Sequence, residues 1–123
     1  MIDPQAIQSL IELENSESFY FVKELEEIFQ EQTPKLIQKM NDGVEHEDMR
    51  MVFTGAHTLK ASCAYLGLTE MLSLCEQIEE WSQQAGRSKI EAFALVQALE
   101  KNYQTSKAEL HQIISDIGSG WQH

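Results

Sequence analysis

One stretch, Val52-Phe-Thr-Gly-Ala56-His57-Thr-Leu59-Lys60-Ala-Ser-Cys63-Ala-Tyr-Leu66, indicates most clearly how this chain folds. Its apolar residues recur with 4-3-4-3 spacing, which aligns them along one face of an α-helix. They are Val52, Ala56, Leu59, Cys63 and Leu66. We therefore predict a helix from Glu47 to Leu66, with Gly67 as its C-terminal cap.

The preceding segment predicts two more helices. Asp3-Pro4 is typical of a helix start, because a capping residue is followed by a proline in the first turn. A short helix from there to Asn15 would bury Ile7, Leu10 and Ile11. A second helix, capped by Ser16 or Ser18, has an apolar stripe formed by Val22, Leu25, Ile28, Phe29, Leu36, Ile37 and Met40.

Pro34 interrupts this second helical pattern. A proline inside a helix either breaks it or kinks it. Because the apolar stripe resumes in phase after Pro34, we predict a kinked helix that continues and stops at Asn41-Asp-Gly43.

The C-terminal half predicts two long helices. Thr69 would cap the first and Gly86 would end it, with inward positions at Leu72, Cys75, Ile78, Trp81 and Ala85. The second would run from Lys89 to Asp116 and end at Gly118-Ser-Gly120. Its inward positions are Val96, Leu99, Tyr103, Ser106, Leu110, Ile113 and Ile117.

Four long amphipathic helices with short connections imply an all-α fold, an antiparallel up-down four-helix bundle. The short N-terminal helix would lie across one end of this bundle. We expect a single domain at residues 1–117, followed by a flexible tail at residues 118–123.

The charge balance limits the partners that the chain can bind. Nine Lys and Arg residues stand against twenty Asp and Glu residues, so the formal net charge is −11. Nucleic acids and anionic membranes attract basic surfaces, so neither is an expected partner. The acidic charge favours a soluble monomer, and no apolar run approaches the ~18 residues of a membrane span.

Two cysteines, Cys63 and Cys75, fall at core positions of neighbouring predicted helices. Cysteine at such positions behaves as a small apolar residue, so we predict packed thiols and no disulfide. Unbonded thiols are typical of a reducing compartment, and the N-terminus lacks the basic start and apolar stretch of a signal peptide. We therefore expect a cytoplasmic location.

His57 does not belong to the buried seam of its predicted helix. At ~100° per residue it projects about 130° from the centre of the seam, on a side shared with Phe53, Lys60 and Ala64. Imidazole is nucleophilic at neutral pH, and a lysine one turn away can hold phosphoryl oxygens. The pair suits a reversible phosphoryl carrier, although a surface histidine with a lysine three residues later also occurs by chance in many helices.

The wider pattern Ala56-His-Thr-Leu-Lys60-Ala-Ser62-Cys-Ala64-Tyr-Leu66-Gly67 resembles the motif of histidine-containing phosphotransfer (HPt) domains of two-component phosphorelays. That motif is roughly Ala-His-x-Leu-Lys-Gly-Ser-Ala-x-x-Leu-Gly. The likeness extends to Phe29–Met40, with its Thr-Pro step, and to Leu74–Glu79. The resemblance implies the same up-down four-helix bundle, with the active histidine exposed midway along one helix.

The resemblance also implies roles for individual residues. His57 would be phosphorylated on its outer ring nitrogen, and Lys60 would stabilise the phosphoryl charge. Glu79 would orient the ring by accepting a hydrogen bond from the inner N–H.

A docking face for a partner protein is expected around His57. It would include Phe53, Ala61 and Ala64, together with the short N-terminal helix, because an aromatic ring supplies apolar contact and small residues let a partner approach. The family usually has glycine where this chain has Ala61. This is the smallest possible departure, and we interpret it as tuning of the approach.

Other candidate sites have ordinary interpretations. His111 and His123 lack the ligand spacing of a metal site, and His46, which stands among Glu45, Glu47 and Asp48, is more simply part of a solvated helix start. The cluster of Glu76, Glu79 and Glu80 is typical of a solvated face. The chain has no glycine-rich phosphate loop, so we expect a carrier and not a kinase. It would need no cofactor of its own, since Mg²⁺ would come from the receiver partner.

These observations predict a free-standing phosphorelay protein. It would accept a phosphoryl group on His57 from the aspartate of one receiver domain and pass it to another. Its partners would be receiver domains of response regulators and a hybrid sensor histidine kinase. One alternative is a helical interaction module without chemistry. Another is the phospho-accepting domain of a larger sensor kinase, which the start at Met1 and the polar tail disfavour.

Overall fold

The computed structural model describes residues 16–86 and 88–121, together with Ile2, Gln5 and Ile7. Its four named helices are α1 (Ser16–Glu45), α2 (Met49–Tyr65), α3 (Thr69–Gln83) and α4 (Lys89–Trp121). Helix α1 packs on α2 and α4, and α3 packs on the same two helices, so the four close a ring in chain order. This arrangement confirms the predicted up-down four-helix bundle.

The core is built from the predicted stripes, with two exceptions. Every residue of the α2 seam is buried, and so are most predicted inward positions of the other helices. Leu25, Leu36, Leu72, Ile113 and Ile117 are only partly buried. The inward placement of Ile28 and Ala85 is wrong, because both are exposed and Ala85 lies beyond the end of α3.

Helix α1 continues through Pro34, as its resuming stripe predicts. Proline lacks the backbone N–H that would bond the carbonyl of Gln30 one turn earlier. The Tyr103 hydroxyl of α4 donates to that carbonyl at 3.3 Å, so the oxygen keeps a partner. The Tyr103 ring also packs edge-on against Phe29, with 5.4 Å between ring centroids. The proline is therefore tolerated because α4 supplies the missing hydrogen bond.

Two glycines that were predicted to end helices lie inside them. Helix α1 runs past Gly43 to Glu45, and α4 runs past Gly118 to Trp121. A Cβ atom on Gly43 would lie 2.7 Å from Val52 Cγ2, and one on Gly118 would lie 2.5 Å from Phe19 Cζ. Both predicted ends are wrong, because these glycines permit close packing and do not reverse the chain. The division into a domain and a tail at residue 118 stays a prediction.

The turns on either side of α2 are built differently. Gly67 has a φ of 71°, which confirms it as the residue that ends α2. At the other end Glu47 has a φ of 57°, and the Asp48 side chain caps the helix by accepting from Met51 N at 3.1 Å. Thr69 was predicted as a cap, but Leu68 occupies the cap position and Thr69 is the first helical residue.

Part of the N-terminal segment reaches the turn between α2 and α3. The backbone of Ile2 pairs with that of Leu68, and the side chains of Ile2 and Ile7 are buried. Gln5 and Ile7 are helical, while the rest of the predicted short helix, including Leu10 and Ile11, lies outside the described residues. Among the helices that are described, none is both long and apolar enough to cross a membrane.

Candidate functional site

His57 lies on the outer side of α2, and 61% of its side chain is accessible. The seam of α2 turns Ala56 and Leu59 into the core, so the residue between them is carried out of it. Its ring lies on the side of α2 that faces α3. Its exposure agrees with the angular position that the sequence predicts.

Phe53 forms a wall on one side of the imidazole. The two rings are stacked, with centroids 5.4 Å apart and planes inclined by 13°. Phe53 precedes His57 by one helical turn, which places the two side chains on the same strip of the surface. Because the phenyl ring covers one face of the imidazole, it limits rotation of the histidine side chain.

Glu79 of α3 holds the inner edge of the imidazole. His57 Nδ1 lies 3.2 Å from Glu79 Oε2, and only 11% of the glutamate side chain is accessible. An ionised carboxylate can only accept hydrogen bonds, so Nδ1 carries the hydrogen and donates it. In the neutral ring Nε2 then keeps its lone pair, and the exposed edge of the ring presents a nucleophile to solvent.

Lys60 approaches the other oxygen of the same carboxylate. Its Nζ atom lies 2.9 Å from Glu79 Oε1, and 33% of its side chain is accessible. The distance is that of an ion pair, but among the described residues Oε1 has no partner aligned as a hydrogen bond. Glu79 thus bridges the histidine and the lysine, with one oxygen for each.

The pKa values of this bridge follow from its contacts. Burial alone would raise the pKa of the Glu79 carboxyl, but its contacts with Lys60 and His57 outweigh burial and hold the pKa below the ordinary value of 4.5. Contact with Glu79 also raises the pKa of the Lys60 ammonium. At neutral pH the pair is therefore a carboxylate and an ammonium.

An exposed apolar patch lies on α2 C-terminal to the histidine, and the sequence identified only part of it. Ala61 and Ala64 are exposed, as predicted for a docking face. Tyr65 and Phe21 are each about half exposed and contact each other edge to face, with 6.3 Å between centroids. Sequence analysis identified neither residue. The helical period places Tyr65 on the side of α2 opposite the seam and could have located it.

Two free thiols lie buried beneath the site. Cys63 of α2 and Cys75 of α3 are unbonded, which confirms the prediction of packed thiols. A hydrogen bond with Cys63, together with burial, raises the pKa of the Cys75 thiol. The thiol of Cys75 therefore stays neutral below the charged groups of the site.

The other acidic and histidine residues divide into separate environments. Glu76 and Glu80 are exposed but Glu79 is buried, so the three do not form one solvated face. His111 Nδ1 lies 3.1 Å from the buried Glu26 of α1, a pairing across 85 residues that no local pattern predicts. Among the described residues, no group of three or more His, Cys, Asp or Glu side chains is placed to hold a metal ion.

Comparison with known proteins places the chain beside one family. The family model of the Hpt domain matches residues 24–118, a range that contains Phe53, His57, Lys60 and Glu79. Multistep phosphorelay regulator 1 of Schizosaccharomyces pombe (strain 972 / ATCC 24843) is 28% identical to the chain over 90 residues. The matched region covers 73% of this chain and 30% of that relative, so the chain corresponds to a minor part of its length.

Proposed function

The chain belongs to the Hpt domain family, and we propose that His57 is the residue that receives and passes on the phosphoryl group. As a member of that family the chain is a phosphotransfer carrier in a phosphorelay, and not a kinase. One observation carries the assignment to His57: an exposed imidazole is hydrogen-bonded through Nδ1 to a buried carboxylate whose other oxygen holds the Lys60 ammonium, so Nε2 faces solvent beside a cation.

The transfer would proceed by in-line attack. The lone pair of His57 Nε2 forms a bond to the phosphorus of a receiver aspartyl phosphate, and the P–O bond to that aspartate breaks. The electrons of the broken bond remain on the aspartate carboxylate. Negative charge spreads over the three equatorial oxygens, where Lys60 from this chain and Mg²⁺ from the receiver would stabilise it.

The docking face would consist of the exposed surface around His57. Ala61 and Ala64 have no side chain beyond Cβ, so the backbone of a receiver can approach α2 closely. Tyr65 and Phe21 would add apolar contact at one edge of this face. The Ala61 methyl group, where the family usually has glycine, would tune the distance of approach.

The Hpt family implies phosphorelay partners such as receiver domains. We propose in addition that the partners include response regulators and a hybrid sensor histidine kinase, and that the chain acts as a monomer in the cytoplasm. The unbonded thiols of Cys63 and Cys75 support a reducing compartment. The phospho-accepting domain of a larger protein stays an alternative.

A passive interaction module is the second candidate function, since it would use the same apolar face. The contact of Lys60 with a buried carboxylate favours the carrier, because a charged lysine adds little to an apolar docking surface.

The deciding experiment is transfer from a receiver. The protein is incubated with receiver domains of its source organism that carry radiolabelled aspartyl phosphate, and the product is tested for stability in base and lability in acid. A carrier acquires base-stable, acid-labile label. Binding to a receiver without such label would favour the interaction module and contradict the carrier.

A further inference from the structure

Glu79 contacts two groups, the His57 imidazole and the Lys60 ammonium. Phosphorylation of His57 would change the electrostatic interactions of both. One carboxylate oxygen lies 3.2 Å from His57 Nδ1, and the other lies 2.9 Å from Lys60 Nζ. Its side chain is only 11% accessible, whereas its partners are more exposed, so water screens these contacts only in part. A change of charge at the imidazole therefore alters the interaction of Lys60 with the carboxylate.

In the unphosphorylated site the charges cancel locally. A neutral imidazole that donates from Nδ1 adds no charge, and the Lys60 ammonium balances the Glu79 carboxylate. This ion pair is not aligned as a hydrogen bond, and a third of the lysine side chain is accessible. Lys60 is thus held at the carboxylate and has solvent-exposed space into which it can rotate.

Phosphorylation would add two charges of opposite sign. A phosphoryl group carries about −1.5 to −2 charge at pH 7 and places it at the exposed Nε2 edge. A ring that keeps hydrogen on Nδ1 and gains a bond from Nε2 to phosphorus becomes a cation. Its positive edge would lie against Glu79, and its negative substituent would lie one helical turn from Lys60.

We propose that Glu79 exchanges counter-ions when His57 is phosphorylated, an inference that rests on the proposed function. Lys60 leaves the carboxylate for the phosphoryl oxygens, and the cationic imidazole takes its place at Glu79. The Nδ1 proton stays where it is throughout. When the next receiver takes the phosphoryl group, the electrons of the P–N bond return to Nε2, the ring becomes neutral and Glu79 recovers Lys60.

A neutral amide in the position of Glu79 could accept the hydrogen bond from Nδ1. It could not hold the Lys60 ammonium, and it would not match the positive ring of the phosphorylated state. The carboxylate is therefore suited to a site that must favour neither state strongly, as reversible transfer requires.

A double-mutant cycle tests the exchange. The equilibrium constant for transfer from one phosphorylated receiver to His57 is measured for wild type, Lys60→Met, Glu79→Gln and the double variant. We expect Lys60→Met to lower this constant in both backgrounds, and about fivefold more when Glu79→Gln is present, the order of one partly exposed ion pair. When Glu79 is present, Lys60→Met removes the phosphoryl contact but also the lysine–glutamate pair that phosphorylation would otherwise have to break, so the two losses partly cancel. In the Glu79→Gln background there is no such pair, and the loss of the phosphoryl contact has its full effect. Glu80→Gln is the matched control, since it removes the same charge from an exposed position of α3 and should leave the effect of Lys60→Met unchanged.

Two results of the cycle would overturn the exchange. Equal effects of Lys60→Met in both backgrounds would mean that phosphorylation does not break the lysine–glutamate pair. No effect of Lys60→Met in either background would mean that Lys60 does not contact the phosphoryl group, so that nothing draws it away from Glu79.

A second measurement uses the wild-type protein alone, in case a variant takes up no phosphate. In protein labelled with ¹⁵N-lysine, the Nζ resonance of Lys60 is compared before and after phosphorylation. We expect it to move to a position typical of a phosphate contact, and an unchanged resonance would overturn the exchange. If wild type takes up no phosphoryl group at all, the proposed function itself fails, and this inference fails with it.

Discussion

Two exposed histidines of this bundle each contact a buried glutamate on another helix. His57 of α2 is 3.2 Å from Glu79 of α3, and His111 of α4 is 3.1 Å from Glu26 of α1. The histidine side chains are 61% and 69% accessible, and the glutamate side chains are 11% and 6% accessible. By the contact between imidazole and carboxylate alone, the two pairs cannot be told apart.

The surroundings of the two pairs differ. At His57 a phenyl ring stacks on the imidazole and Lys60 approaches the free carboxylate oxygen. At His111 the amide of Gln30 donates to the same Glu26 oxygen at 3.3 Å, and the nearby Lys107 lies over the Tyr103 ring. The bundle thus uses a histidine to satisfy a buried carboxylate twice. Of the two pairs, only that of His57 also has a lysine at the carboxylate and an aromatic ring stacked on the imidazole.

The largest expected difference between the pairs is in phosphorylation. Radiolabelled phosphoramidate needs no protein partner, because its P–N bond breaks and ammonia leaves as histidine attacks. We expect His57→Gln to abolish base-stable label, while His111→Gln keeps it near the wild-type amount. Circular dichroism should show unchanged helicity for His57→Gln, since the replaced side chain lies outside the core. Undiminished label in His57→Gln would remove the assignment of that residue.

Removal of the cation should have the next largest effect. We expect Lys60→Ala to slow transfer from a phosphorylated receiver by roughly tenfold to a hundredfold, because one charged group facing the transferred phosphoryl is lost. Lys107→Ala is the matched control at the other pair and should leave the rate unchanged. Stopped-time gel assays of label transfer measure both, and equal rates for Lys60→Ala and wild type would contradict the role of Lys60.

The second pair should matter for stability instead. His111→Ala leaves the buried Glu26 carboxylate with one amide partner, so we expect a loss of about 1–3 kcal/mol in the free energy of unfolding. Urea denaturation measures this loss, and His46→Ala is a control at an exposed histidine that contacts a backbone carbonyl and no buried carboxylate. A stability equal to that of wild type would show that Glu26 does not need the histidine.

The ion pair at Glu79 should make the free energy of unfolding depend on pH in the acid range. The pKa of Glu79 is lower in the folded protein than its ordinary value of 4.5, so the carboxylate stabilises the fold above that pH. This contribution is lost as the pH falls from 4.5 through the lowered pKa, since the unfolded state takes up a proton there before the folded state does. The free energies of unfolding of wild type and Glu79→Gln, measured by denaturation between pH 7 and pH 3, should therefore converge toward pH 3. A constant difference over this range would contradict the pairing.

The smallest expected effect concerns the stacked ring. Phe53→Ala removes a contact of about 0.5–1.5 kcal/mol, so we expect the transfer rate to fall by only a few-fold. Phe53→Leu should restore part of the rate if bulk alone limits the imidazole. The same transfer assay measures both variants, and a loss as large as that of His57→Gln would show that Phe53 does more than support the ring.

Local periodicity predicted the features that depend on neighbours in sequence. The α2 seam and the outward position of His57 both follow from residues three and four apart. Glu79 was identified by resemblance alone, because nothing in its own segment distinguishes it from Glu76 and Glu80. The pairing of Glu26 with His111 joins residues 85 apart, and no local pattern encodes it. Gly43 and Gly118 were misjudged because a glycine that ends a helix and one that admits a neighbouring side chain look the same in sequence.

The hydroxyl of Tyr103 has a consequence for the register of the bundle. Together with His111 it fastens α4 to α1 at two points, on Gln30 and on Glu26. Deleting one residue between these two anchors would turn one of them by about 100° relative to the other, and both could not then be satisfied. The relative alignment of α1 and α4 is therefore fixed at an interface that does not include the α2–α3 contact where the site lies. The proposed exchange of counter-ions at Glu79 would take place between α2 and α3, apart from these two anchors.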